Sequence, residues 1–444
     1  MTLRDAALAI FQAALESGHV RSLLQRAVCL DGSRLAAGSA AFDLAGIRRL
    51  LVLGAGKASG AMAQSLEEML GDRIAEGLVV VKDGYRAPTK RVRLLEAAHP
   101  IPDERGARAA RELLALARNA RADDLVVVLI SGGGSALTPA PVPPITLAEK
   151  RALTEQFLAA GATVSELNVV RKHCSQFKGG QLAKAAAPAP VVSLILSDVI
   201  GDAPDVVASG PTAPDETTFA DALAVVERFG LRDRIPTSVV RRLEQGARGE
   251  ISETPKPRDP LFDRVTNHII GNNRMVVEAA ETRARQLGFN THLRTRALQG
   301  EAQEVARQFA DLARGIRMNG KPVSPPACVI AGGETTVTVR GRGKGGRCQE
   351  FCLAGALGLH GMPDVFVLAA GTDGSDGPTD AAGATADGET VSRAARRGLD
   401  ASAGLAENDS FGFFSALGDL VITGPTNTNL LDLYLLLVGP LPQK

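Results

Sequence analysis

A chain of 444 residues is too long for one hydrophobic core, so two domains are expected, each able to bury its own apolar interior. The formal net charge is +1 and no block of about five or six like charges occurs, which excludes the electrostatic footprint of a nucleic-acid binder or of a protein held on an anionic membrane. The five cysteines, Cys29, Cys174, Cys328, Cys348 and Cys352, are scattered and form no CxxC pair; they speak against structural zinc and for a reducing compartment, and with no run near the ~18 apolar residues of a membrane span the protein is expected in the cytoplasm.

The chain opens on MTLRDAALAIFQAALESG, where Leu3, Leu8, Phe11 and Leu15 fall near helical spacing among Arg4, Asp5 and Glu16; this predicts an amphipathic helix, not a signal peptide. Strand-like and helix-like stretches then alternate: strand 50–54, helix 58–70, strand 77–82, helix 103–119, strand 124–130. That βαβαβ order predicts an α/β fold with a mostly parallel, Rossmann-like sheet carrying helices on both faces. The pattern continues through helix 147–160, a basic stretch 168–186, strand 191–197, and helices near 218–229 and 236–246. From 246 to 262 the sequence GARGEISETPKPRDPLF loses periodicity and gains Pro, Gly and charge, as a connection does, so an N-terminal domain over 1–250 and a C-terminal α/β domain over 251–444 are expected. The second block reads as strand 266–270, helix 275–287, strand 290–293, helix 301–319, strand 328–331, helix 349–360, strand 365–370, strand 420–423, and a helix or strand from Asn429. Between 335 and 345, TTVTVRGRGKG predicts a hairpin, because Thr336, Thr338 and Arg340 alternate with Val337 and Val339.

Six apolar runs end in polar glycine loops: LLVLGAGKASG from Leu50, VVVLISGGGSAL from Val126, VVSLILSDVIGD from Val191, CVIAGGETT from Cys328, VLAAGTDGSDGPTDAAG from Val367 and LVITGPTNTN from Leu420. Ligands of open α/β sheets sit beyond the carboxyl ends of the strands, and backbone amides free of side-chain bulk form concave anion nests. The recurrence points to one shared site and to phosphate as its ligand.

Each loop carries its own chemistry. GAGKASG misses GxGxxG by one residue and places Lys57 in the first strand-to-helix turn, a good position for meeting phosphate charge that grows during transfer. No GxxxxGK[ST] occurs. SGGGSAL sets Gly132, Gly133 and Gly134 between Ser131 and Ser135, an entropic cost that close approach of backbone to a ligand explains; without GxSxG, neither serine reads as a nucleophile. NVVRKHCSQFKGGQLA gathers Arg171, Lys172, His173 and Lys178, a candidate oxyanion site, with Arg171 and Lys178 seven apart. SDVIGD puts Asp198 at a strand end, where it could accept a hydroxyl proton or bind a metal. His99, before a proline, is a further candidate.

Downstream, Thr372 opens a turn that packs Asp373, Asp376 and Asp380 together, an arrangement suited to a cation. An EF-hand is excluded, since the twelfth residue from Asp373 is Ala384; magnesium held by one or two carboxylates plus substrate phosphate fits better. GRGKGGRCQE places Arg347 just ahead of a helix among Gly341, Gly343, Gly345 and Gly346, and its planar fork matches a carboxylate or a transferring phosphoryl group.

Taken together, GAGKA, AAHPIPDERG, SGGGSAL, VRKH with KGGQLA, SDVIGD with ASGPTAPD, AGGETTVTV, GGRCQE, AAGTDGSDGPTDAAGA and ITGPTNTN resemble the class II glycerate kinases with a C-terminal MOFRL-type domain, over nearly the whole chain. The resemblance implies two α/β domains with a cleft between them, and phosphorylation of D-glycerate by ATP with a divalent metal, giving 2-phosphoglycerate. It implies essential roles for Lys57 and Arg347; Cys348 departs from the family's GGRNQE pattern, where asparagine is expected.

On that basis the ATP phosphates are expected across Ser131, Gly132, Gly133, Gly134 and Ser135, with Lys178 and Thr372 assisting. Mg2+ would bridge phosphate oxygens to Asp373, Asp376 or Asp198. Glycerate would face Lys57 and Arg347, with Arg347 the first choice for its carboxylate and Arg171 the second. The expected partners are D-glycerate and ATP, with neither nucleic acid nor membrane, and a homodimer is compatible with the reading. The alternative is an NAD(P)H-dependent hydroxypyruvate reductase, a label family members also carry; the imperfect nucleotide fingerprint speaks against it, and Asp83 after the second strand keeps it open.

Overall fold

Leu50–Ala55, Leu125–Ile130 and Val191–Leu196 are buried at every position. Strands covered on both faces need apolar side chains pointing both ways, which is why these runs are continuous and do not alternate. In the computed structural model, which describes residues 1–440, they lie within a six-stranded sheet ordered Val92–Ala97, Ile74–Lys82, Leu50–Ala55, Leu125–Ile130, Val191–Leu196, Val265–Gly271. The first five strands pair in parallel, so the loops leaving their carboxyl ends share one edge. Leu51, Leu53, Val126 and Val128 join Leu113 and Leu114 of the helix Glu104–Arg118 in one core. A second apolar cluster, around Phe157, Leu167, Phe219, Val226 and Leu243, joins the helices Leu147–Ala159, Val164–His173, Phe219–Arg228 and Thr237–Ala247. Each such side chain contributes about 1.5–3 kcal/mol relative to exposure. Three of these helices start at a capping box, Thr146 with Glu149, Thr163 with Glu166 and Thr218 with Asp221, each satisfying amide groups that would otherwise lack partners.

The chain divides into two compact units, Val20–Ile270 and Met1–His19 with Gly271–Lys444. The border therefore falls near 270, beyond the Pro- and Gly-rich 246–262, and the first helix belongs to the other unit. That helix, Leu3–Ser17, packs on Asn273–Gln286, and Arg4 forms an ion pair with Asp419 at 2.5 Å. Residues 255–264 instead serve the first unit: Asp215 donates its N–H to the carbonyl of Pro255, and the edge strand Val265–Gly271 completes the sheet.

The second unit holds a mixed sheet ordered Asn290–Leu298, Ala327–Gly333, Asp432–Val438, Val365–Gly371, Gly383–Asp387, Leu420–Val421. Only its first pair is parallel; the remaining pairings are antiparallel. The hairpin expected over 335–345 does not form. Its amides find other acceptors: Thr336 N–H donates to Gly300 O at 2.9 Å, Thr338 N–H to Glu301 Oε1 at 2.9 Å, and Arg340 and Gly341 N–H to Asn408 Oδ1 at 2.8 and 3.0 Å. A three-stranded antiparallel sheet over Val28–Asp31, Arg34–Ala37 and Ala40–Asp43, and the strand Val92–Ala97, are present where no strand was expected. Among the described residues no helix is long and apolar enough to cross a membrane.

Candidate active site

In the first unit, two glycine loops at the carboxyl edge of the sheet interlock. Lys57 N–H donates to Gly132 O at 2.9 Å and Ser131 N–H to Ala55 O at 3.2 Å. The helix Ser59–Leu70 begins at Ala58, which offers no capping side chain. Ser131 supplies the missing acceptor from the other loop: its Oγ accepts Ala58 N–H at 3.0 Å and lies 3.2 Å from Ser59 Oγ. The Ser131 hydroxyl is fully buried by this work, so any anion in the loop would meet backbone and not that side chain. Gly133 has φ +84°, and a Cβ there would lie 3.1 Å from the His99 ring and 3.3 Å from Lys57 Cγ. Glycine is thus what lets Lys57 and His99 close in on the turn.

Beyond the three glycines lies Ser135, where the basic stretch arrives. Lys178 is fully buried, and its Nζ donates to Ser135 O and Oγ, both at 2.8 Å. Arg171 donates to the same Oγ, which lies 3.1 Å from Ser209 Oγ; Ser209 in turn donates to Asn168 Oδ1 at 3.0 Å. Ala208 and Ser209 hold left-handed backbone angles, φ +51° and +62°, an arrangement that costs energy in non-glycine residues. Burial, with Arg171 and Lys150 alongside, holds the Lys178 pKa well below a lysine's ordinary value, and burial brings Arg171 down to about 10. Asp198 follows Val191–Leu196 at the same sheet edge and is half-buried. Lys172, by contrast, is paired with Asp205 and Asp215 and stands apart from this cluster as a structural cation. Asp83 is held by both terminal nitrogens of Arg105, at 2.7 Å each.

In the second unit, Arg347 is the first residue of the helix Arg347–Leu359. Its Nε and Nη2 donate to Asp432 at 2.6 and 3.0 Å, and Nη1 to Glu334. Tyr434 OH donates to the same Asp432 at 3.0 Å. Burial opposes the guanidinium charge, but the two carboxylates outweigh it and keep its pKa above the ordinary value. The forked edge best suited to a substrate carboxylate is therefore already engaged by Asp432. The four glycines before Arg347 have a packing reason: side chains at 341, 343, 345 and 346 would collide with Glu407, Asp409, Ser410 and Asp376.

The aspartate loop is also partly structural. Asp376 is buried and accepts the N–H groups of Cys348 and Gln349 at 3.2 and 2.8 Å, capping the helix that Gly346 leaves uncapped. Burial raises its carboxyl to about 7 against the pull of the Gln349 N–H. Cys348 therefore contributes its amide, and its thiol is buried. Thr372 is buried and ties the loop to the chain ahead of the last strand, donating to Leu431 O at 2.8 Å and accepting Leu430 N–H at 2.7 Å. Asp373 is half-buried, with Oδ1 accepting Ser375 N–H at 3.0 Å. Among the described residues no group of three His, Cys, Asp or Glu converges as a metal cage. This donor set suits a cation that draws most of its shell from phosphate and water.

Lys150 was missed in the sequence. It sits on Leu147–Ala159 at helical spacing with Leu147, Leu153 and Phe157, all buried, so a lysine on an apolar stripe was the available signal.

The family description "Domain of unknown function (DUF4147)" matches residues 6–244 and the MOFRL family matches residues 327–432. The D-glycerate 2-kinase of Thermotoga maritima is 42% identical over 88% of this chain and 91% of its own. A protein of Agrobacterium vitis that carries the name hydroxypyruvate reductase only provisionally is 43% identical over 88% of this chain and 87% of its own. The crystal structure of glycerate kinase from Thermotoga maritima superposes with a TM-score of 0.85 at 38% identity, covering 98% of this chain and 99% of that one. With kinase-named relatives aligned along most of its length and both domain families matched in order, the chain belongs to the MOFRL family of glycerate kinases.

Proposed function

We propose that this protein transfers the γ-phosphoryl group of ATP to the 2-hydroxyl of D-glycerate. The substrate hydroxyl loses its proton, its oxygen forms the new P–O bond, and the bond from the γ-phosphorus to the β–γ bridging oxygen breaks, leaving ADP. The observation that carries the reading is the interlocked pair of glycine loops that sets Lys57 against Gly133 at the carboxyl edge of a parallel sheet. Such an edge is where phosphates are cradled, and a lysine there offsets charge spreading over the equatorial oxygens.

Lys57 and Arg347 are the two cations assigned to the chemistry, and Asp198 the acceptor of the hydroxyl proton. The fixed geometry that Asp432 gives Arg347 supports an electrostatic role, since a preorganised charge needs no rearrangement during transfer. The backbone of Gly132, Gly133 and Gly134 is assigned to phosphate. A divalent ion would supply charge compensation on phosphate oxygens, with Asp373 as its carboxylate; Asp376 is left out because both its oxygens already accept N–H groups. The Arg105 clamp on Asp83 weighs against the reductase alternative, because a ribose would have to displace it. Four buried free cysteines are in keeping with a reducing compartment, and we place the enzyme in the cytoplasm.

One assay tests this. ADP formation from ATP and D-glycerate that requires Mg2+, without NADH oxidation by hydroxypyruvate, is the expected result; the opposite pattern overturns it.

A further inference from the structure

Ser135 is surrounded by more positive charge than the protein balances. Lys178 Nζ holds its carbonyl and hydroxyl, Arg171 reaches the hydroxyl, and Lys150 lies close enough for its charge to act on Lys178. Lys150 is 6% exposed and Lys178 fully buried. Lys178 and Arg171 spend their charge on the carbonyl and hydroxyl of Ser135, and neither is joined to an Asp or Glu among the described residues; the charges that act on Lys150 are those of Arg171 and Arg151, opposed by Cys174. The Arg171 Nε is sealed from solvent with no hydrogen-bond partner. Elsewhere the chain pairs its buried cations: Lys172 has Asp205 and Asp215, and Arg347 has Asp432.

Buried like charges without a counter-ion cost stability, and a fold keeps them where a ligand supplies the missing charge. We infer that Lys150, Arg171 and Lys178 form a buried oxyanion pocket at Ser135 for a carboxylate or phosphate of the reactants, with Lys150 as a specificity-determining residue. Resting on the kinase reading, the pocket takes either the carboxylate of the three-carbon acid or a phosphate of the nucleotide. The low pKa values agree: burial and the Arg171 charge bring Lys150 down to about 7, and an anion between these groups would restore their protons. Its neighbours suit selection, since the Ser135 hydroxyl lies 3.1 Å from Ser209 Oγ, which itself donates to Asn168 Oδ1 at 3.0 Å.

The test compares full-length wild type with Lys150→Met and Lys150→Arg, by thermal shift with D-glycerate, glycerol, ADP and inorganic phosphate, and by steady-state kinetics. Methionine fills the site without a charge, so the ligand-free Lys150→Met protein should melt at or above the wild-type temperature. It should lose the shift given by the oxyanion ligand, and KM for one reactant should rise about tenfold or more while the other stays within about twofold. A rise in KM for glycerate assigns the carboxylate, and a rise in KM for ATP assigns a phosphate; Lys150→Arg should recover most of the affinity in either case. Undiminished shifts and both KM values within about twofold of wild type would overturn the pocket. Should wild type form no ADP with glycerate, the kinase reading fails separately, and the pocket is then judged on inorganic phosphate alone: a shift present in wild type and lost in Lys150→Met upholds it, and any other result overturns it. If Lys150→Met does not fold, Lys150→Gln takes its place under the same criteria.

Discussion

Asp432 grips Arg347 through both oxygens, Oδ2 to Nε at 2.6 Å and Oδ1 to Nη2 at 3.0 Å, while itself receiving the Tyr434 hydroxyl at 3.0 Å. Asp432 is buried and a third of the Arg347 side chain is exposed, 34%, so the pair sits between a core ion pair and a surface one. Asp432→Asn should cost about 2 kcal/mol in urea unfolding, below the full penalty of a buried pair because water screens the guanidinium. Arg347→Lys, which keeps the charge and loses the fork, should lower kcat by about a hundredfold to a thousandfold. An unchanged kcat in folded Arg347→Lys would remove Arg347 from the chemistry.

Lys57→Ala should cut turnover by about a hundredfold to a thousandfold while circular dichroism and melting temperature stay close to wild type. The side chain is half-buried and its backbone N–H, which survives the substitution, carries the link to Gly132. Near-normal kcat in the folded variant would refute its catalytic role.

Ser131→Ala separates a structural serine from a ligand-binding one. Losing the acceptor for Ala58 N–H should destabilise the protein by about 1–2 kcal/mol. The KM for ATP should move less than about threefold, measured in the same preparation. A large rise in KM at unchanged stability would return the hydroxyl to the ligand.

Asp373→Ala should raise the half-saturating Mg2+ concentration roughly tenfold or more, with Asp380→Ala, on an exposed side chain of the same loop, as the control. Titration of activity with Mg2+ at saturating ATP reads this directly, and equal curves for the two variants would dismiss Asp373 as a ligand.

Lys150 gives a pH dependence with a definite sign. Its folded pKa is lowered to about 7 from 10.5 by burial, then by Arg171, with Arg151 adding to the effect and Cys174 opposing it. Between those values the unfolded chain binds the extra proton, so the ligand-free protein gains stability from this group as pH rises from about 7 towards 10.5 and loses it as pH falls back. The slope is about 1.4 kcal/mol per pH unit for one proton. The Lys150→Met protein should gain less stability than wild type over the same pH range; parallel curves would show that Lys150 keeps its proton throughout.

Much of the framework could be read from local pattern. Runs such as 125–130 and 191–196 need no partner to be recognised as buried strands, and the helix expected over 147–160 forms as Leu147–Ala159. What escaped depends on residues far away in sequence. The alternation at 335–340 looks like a strand, but Glu301 and Asn408 take its amides. The glycines ahead of Arg347 read as a ligand loop, whereas they clear space for residues 376 and 407–410. Ser131 sits in a phosphate-like motif, yet its hydroxyl answers a helix that starts 73 residues earlier in the chain. The short strands over 28–43, half exposed and with few β-branched residues, carry no strong periodic signal at all. Lys178 and Arg171 were legible as basic residues; that both turn to Ser135, and neither to an Asp or Glu among the described residues, is visible only in three dimensions.

The strand Asp432–Val438 lies between Ala327–Gly333 and Val365–Gly371, at the middle of its sheet. It is also the last of the six to emerge during synthesis, and the helix that opens the chain waits on the same assembly. Residues 20–270 can finish folding while the ribosome is still translating, whereas the other unit keeps two apolar strand edges open until residue 438 has left the ribosome. A stalled or truncated product would therefore expose those edges to other chains, making aggregation the expected fate of incomplete copies.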